Sequence, residues 1–190
     1  MSSTEWGRPP NARPPEAAWT TLSEGQLVSL AGWTRRFHER AATFPLAGTW
    51  RFFGVDRPTI IAHNDLAPNN ICFAGDDLAG VFDWDLAGPS TPLLELAQLA
   101  WHCVPLLRPI PDEDAARRLR LIADAYGGPT AAEILAAVPV RVHVAIDGIR
   151  EAVRRGDEGM RNLLAIGEPE GTERLLAAFL DRAPAIAARL

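Results

Sequence analysis

The sequence contains no lysine; all 19 of its basic residues are arginine. Every mechanism that needs an ε-amino group, from a Schiff base to a lysine clamp on nucleotide phosphates, is therefore missing from the chain's own side chains. Cysteine is scarce as well. Cys72 and Cys103 lack the spacing of a metal site, and each sits in an apolar stretch that reads as a small buried thiol. No apolar run approaches the roughly 18 residues of a membrane span. Met1–Ser2–Ser3–Thr4–Glu5 has neither the basic nor the apolar region of a signal peptide. A net charge of −5 and a pI near 5.4 argue against a nucleic-acid partner, and a cytoplasmic location is the default reading.

What is present is enough apolar residue, 47%, to build an ordinary globular core. Residues 1–22 carry Pro9, Pro10, Pro14 and Pro15 with little to bury and read as a flexible tail. From Ser23 a pattern of Leu27, Leu30, Ala31, Trp33, Thr34, Phe37 and Ala41 predicts a helix to about residue 42. Trp50–Val55 reads as a short strand or an aromatic loop, and Thr59–Ala62 as a strand. His63–Asn70 is polar and reads as a loop. Ile71–Phe73 and Ala79–Phe82 flank Gly75–Asp76–Asp77 as a hairpin. Helices follow over Pro92–Leu106, from Asp112 as a cap to Tyr126, from Thr130 to Val138, over Val140–Arg155 and over Gly171–Leu190. His102 and His143 fall in helical apolar patterns, as core or boundary residues. The expected class is α+β and mainly helical, with a small β-hairpin carrying the functional loops.

The informative stretch is His63–Asn64–Asp65–Leu66–Ala67–Pro68–Asn69–Asn70, followed by Val81–Phe82–Asp83–Trp84–Asp85. Phosphoryl transfer to an alcohol needs a carboxylate to accept the proton and hard oxygen ligands for Mg²⁺. Asp65 and Asn70 stand five residues apart, the spacing of a catalytic acid and its metal-ligating amide, and Asp83 follows Asp65 by eighteen. A four-residue loop over Gly75–Leu78 pairs Ile71 with Phe82 and sets Asn70 opposite Asp83, roughly 5 Å apart by Cα, so the two can share a cation. Asp85 either flanks the same metal or caps the following turn. A turn-capping role is the bland alternative for Asp65.

His63-x-Asp65-x4-Asn70, the Asp83–Trp84–Asp85 pair and the following Gly88–Pro89…Leu94–Glu95–Leu96–Ala97 resemble the aminoglycoside phosphotransferase/choline kinase family. The resemblance implies a protein-kinase-like C-terminal lobe over residues 23–190. It implies Asp65 as catalytic base, His63 bracing the loop, and Asn70 and Asp83 holding Mg²⁺. ATP would be the phosphoryl donor and a small-molecule hydroxyl the acceptor. Arg35–Arg36–Phe37–His38 resembles the end of that family's first large C-lobe helix. Glu95 stands where the family more often has aspartate.

The full family fold also has an N-terminal lobe with a Gly-rich loop and a lysine, and neither is found upstream of residue 23. A preorganised charge donor of that kind is typically worth ~10²–10³ in rate. Residues 1–190 are therefore expected to bind ATP weakly and turn over poorly. Their uncovered lobe face should self-associate or be covered by Trp6, Trp19 or Trp50–Phe53. The competing readings are a non-catalytic, partner-binding remnant and a metal-dependent phosphoester hydrolase.

Overall fold

A computed structural model describes residues 21–52 and 54–190. The elements run α1 (Glu24–Ala41), β1 (Ile60–Ala62), β2 (Ile71–Ala74), β3 (Asp77–Val81), β4 (Gly88–Ser90), α2 (Pro92–Cys103), α3 (Asp112–Tyr126), α4 (Ala131–Arg155), α5 (Glu158–Ala165) and α6 (Glu170–Ala187). The class is mainly helical α+β, with two two-stranded antiparallel sheets, β1–β4 and β2–β3, among the described residues. None of the described helices is long and apolar enough to cross a membrane.

Helix α1 starts where a capping box starts it. Ser23 Oγ accepts from Gln26 N–H, and the Gln26 side chain returns the bond to Ser23 N–H. Its apolar stripe, Leu27, Leu30 and Ala31, packs with α3, and His38 Nδ1 meets the Tyr126 hydroxyl at 2.9 Å. Leu96, Leu99 and Ala100 of α2 pack against Val138, Val142 and Ile146 of α4 in the centre of the core. Residues 1–20, with Trp6 and Trp19, and residue 53 lie outside the described residues. Leu22, the last residue read as tail, is 5% exposed, and its carbonyl accepts from Arg118 Nη2 at 2.5 Å.

Several expectations are corrected. The two helices expected on either side of Pro139 are one, α4, capped by a Thr130–Glu133 box. Proline removes one backbone bond, but Val138 and Val142 are both fully buried against the core, and that packing carries the helix through. Helix α5 was not anticipated; Asp157 caps it by accepting from Met160 N–H. Asp112 is the first residue of α3 rather than its cap. Cys72 lies on the open face of the hairpin and is exposed, whereas Cys103 is buried. His143 is exposed on α4. Of the two readings of Trp50–Val55, residues 50–52 take the loop and not the strand.

The hairpin exists, but in a different register. Its loop is two residues, Gly75–Asp76, with Gly75 at φ 64°, the first loop position at which a type II′ turn calls for glycine. An irregularity between Cys72 and Phe73 absorbs one extra residue, so Ile71 pairs with Val81 and Cys72 with Gly80. Phe82 N–H donates to Asn70 C=O at 2.8 Å. Asn70 thus faces Phe82, and the expected placement directly opposite Asp83 is wrong by one residue.

Candidate active site

The loop after β1 is held from both sides by buried charge. Asn64 turns the backbone at φ 63°, a left-handed conformation that asparagine tolerates. Glu95 of α2, fully buried, accepts from His63 N–H and Asn64 N–H, both at 2.9 Å. Arg141 of α4, 3% exposed, donates through Nη2 to Asn64 C=O at 2.6 Å. The Asn64 amide donates to Leu86 C=O and Gly88 C=O, tying the loop to the segment before β4. A Cβ at Gly88 would stand 3.1 Å from the Phe52 Cβ, a tight contact that favours glycine where these segments approach. Burial pushes Glu95 up to about 7, opposed by Asn64 N–H, the Arg141 charge and His63 N–H. Burial lowers Arg141 to about 10, opposed by Glu95 and Asp65, so it stays cationic at neutral pH.

His63 spends both ring nitrogens on the backbone. Nε2 lies 2.8 Å from Phe82 C=O, which can only accept, so Nε2 carries the proton. Nδ1 then accepts from Asp65 N–H at 3.2 Å. Burial lowers its pKa, and the Phe82 carbonyl, Asp65 and Asp83 counter only part of that. The neutral ring is packed edge-on by Trp84, with centroids 4.6 Å apart, and Trp84 in turn rests on Phe37 and Trp33.

Asp65 has one oxygen facing Asn70 and the other facing α2. Oδ2 accepts from Asn70 Nδ2 at 2.8 Å, and Oδ1 accepts a longer bond from Gln98 Nε2 at 3.4 Å. Its pKa is raised, first by burial and also by the nearby Asp83 charge. The Asn70 bond, His63 and Arg141 pull the other way.

Asp83 sits just past β3 at φ 57°, and this left-handed turn takes it out of strand register. It lines the same cavity as Asp65 and makes no hydrogen bond or ion pair among the described residues. Asp85 points instead to Arg51, with Nη1 to Oδ2 at 2.9 Å, and Arg51 also holds Asp157 at 3.0 Å. It does not cap the next turn.

A hard divalent cation needs oxygen ligands. Asp83 offers an unengaged carboxylate whose repulsion of Asp65 a cation would relieve. Asn70 Oδ1 is occupied only by the Asn69 amide at 2.7 Å. Both are hard oxygen donors of the kind Mg²⁺ takes, and Asp85 Oδ2 is paired with Arg51. Among the described residues no group of three His, Cys, Asp or Glu could hold a metal, so water or phosphate would complete the shell.

The loops that carry Asp65 and Asp83 open on a cavity of about 840 Å³, walled on the far side by α2, α4 and α5. Glu95, Gln98, Arg51 and Arg141 were not found as site residues from sequence. Arg141 carried a usable signal: it sits three residues after Val138 and one before Val142, on the buried stripe of α4, where a charge needs a reason to be. Glu95 and Gln98 sit the same way on the buried face of α2.

No solved structure matches the chain. The trifolitoxin immunity protein of Rhizobium leguminosarum bv. trifolii is 32% identical over 138 residues, covering 56% of this chain and 51% of that protein. The chain thus spans about half the length of this curated relative. The family model APH, described as the phosphotransferase enzyme family, matches residues 5–135, a stretch that includes the His63–Asn70 loop, Asp83 and Glu95. The chain belongs to this APH phosphotransferase enzyme family.

Proposed function

We propose that the chain is a protein-kinase-like C-lobe, spanning residues 23–190, of a cytoplasmic, ATP-dependent phosphotransferase. It moves the γ-phosphoryl group to a hydroxyl of a small molecule. The observation that carries this reading is the Asp65 carboxylate. It faces the cavity, it is oriented by Asn70 at 2.8 Å, and burial strengthens it as a base. In this reading Asp65 accepts the hydroxyl proton while the acceptor oxygen bonds the γ-phosphorus. The bond from that phosphorus to the β-phosphate oxygen breaks, and ADP leaves. Asn70 and Asp83 hold Mg²⁺, which when bound supplies positive charge against the phosphate oxygens. His63 positions Asp65 through its backbone N–H and takes no proton.

Mn²⁺ titration followed by water-proton relaxation tests the metal half of this reading. Wild type should bind one ion, and Asp83→Ala at least about tenfold more weakly. Equal weak binding in both proteins removes the site.

A second reading is favoured by the name of the relative, an immunity protein. Here the chain protects by binding a toxic compound without turning it over. Protection that survives Asp65→Asn in a cell-based assay would favour it.

A further inference from the structure

Resting on the phosphotransferase reading, we infer that the acceptor for this chain is a hydroxyl compound with a largely apolar body and at most one charge, not a polyamine. Three observations carry this. The cavity beside Asp65, about 840 Å³, is of a size that encloses a drug-sized molecule. Its far wall is built from Trp101 of α2, Val144 and Ile149 of α4, and Met160 and Leu163 of α5, all partly buried apolar side chains.

The second observation is what the cavity's acids already do. Asp85 and Asp157 share Arg51. Asp157 also caps α5, and Glu168 accepts from Thr172 N–H at 2.9 Å. Asp65 is held by Asn70 and Gln98. Asp83 alone of these carboxylates has no hydrogen bond or ion pair among the described residues, and the proposed function assigns it to the metal. A polyamine entering the cavity would find no set of unengaged carboxylates to replace its hydration. His102 adds no charge: burial and the nearby Arg141 and Arg108 push it down to about 3, so the ring is neutral.

The third observation is position. The wall from Val144 to Leu163 lies beyond residue 135, where the family match ends. The matched part holds the loops with Asp65 and Asp83, and the apolar wall of α4 and α5 lies outside it.

The test uses residues 1–190 and the neutral fluorophore N-phenyl-1-naphthylamine. Its emission should rise saturably with one site per chain, and the neutral alcohol 2-naphthol should displace it. Ile149→Asp and Leu163→Asp, on different helices, should each weaken binding by at least about tenfold, with far-ultraviolet circular dichroism unchanged. If one of them fails to fold, the other decides. Val140→Asp, on the exposed face of α4, should bind as wild type does. Absence of saturable binding, equal weakening in Val140→Asp, or displacement of the dye by spermine would overturn the inference. Transfer from radiolabelled ATP is scored separately. Transfer to amino sugars alone would overturn the inference and leave the phosphotransferase reading standing. Dye binding as described, with no transfer to any alcohol, would uphold the cavity's preference for apolar ligands and count for the non-catalytic reading over the phosphotransferase one.

Discussion

Glu95→Ala removes the acceptor for two buried backbone N–H groups at once. At pH 8 the wild-type carboxylate is ionised and accepts from His63 and Asn64, both at 2.9 Å, with no exposure to water. Stranding each N–H costs about 1–3 kcal/mol. The one lost methylene adds about 0.8 kcal/mol. Against this, the variant no longer carries a buried carboxylate whose pKa is pushed up to about 7. The rise from 4.5 corresponds to a relief of roughly 3 kcal/mol. The balance is a net loss of up to about 4 kcal/mol, larger than for Glu95→Gln, which keeps the volume and one acceptor. Urea unfolding at pH 8 measures the loss, and amide hydrogen exchange locates it at residues 63 and 64. A change below about 0.5 kcal/mol with unaltered exchange at both amides would show that Glu95 does not hold the loop.

Two further predictions concern pH and capping. Between about pH 4.5 and 7 native Glu95 keeps a proton that the unfolded chain has lost, so its contribution to stability falls as pH rises through that window and is flat above it. His38 runs the other way: burial lowers it to about 4, so its contribution is complete above about 6.5 and is lost as pH falls. Urea midpoints from pH 5 to 7.5 should therefore rise more steeply with pH in Glu95→Gln than in wild type, and less steeply in His38→Gln; parallel curves would contradict both assignments. Ser23→Ala should cost about 1 kcal/mol, because it removes the α1 cap, and it also loses the 2.5 Å bond to Asp76 at the hairpin turn. An unchanged midpoint would mean that neither bond matters.

Local chemistry was legible in the sequence, and long-range closure was not. Ser23 announces the start of α1 because it directly precedes the helical apolar pattern, and the structure adds Gln26 as its capping-box partner. The Asp65–Asn70 spacing and the Asp83 that follows point to phosphoryl transfer on equally local grounds, and the structure does bring Asp65 against Asn70. The hairpin register failed because it depends on a two-residue turn and an irregularity, and a shift of one residue changes every partner. Helix α4 was split at Pro139 because propensity sees the missing N–H, while the packing of Val138 and Val142 on α2 is a tertiary fact. Strand β4 escaped notice because Gly88–Pro89–Ser90 has no strand propensity; it pairs with β1 because Asn64 and Thr59 anchor it. The Glu95 and Arg141 contacts join residues 31 to 77 positions apart. For Arg141 only its place on a buried helix face hinted at the contact, whereas Glu95 also stood in the motif that carries the family resemblance.

The most direct test of the central claim is Mg²⁺-dependent release of phosphate from ATP by wild type and Asp65→Asn, with water standing in for the acceptor. The account predicts activity in wild type and a fall of at least ~10² in the variant, because general-base help is typically worth 10²–10⁴. Circular dichroism should stay as in wild type, and Mn²⁺ should still bind. Undiminished phosphate release from a folded Asp65→Asn protein would contradict the claim that Asp65 takes the proton.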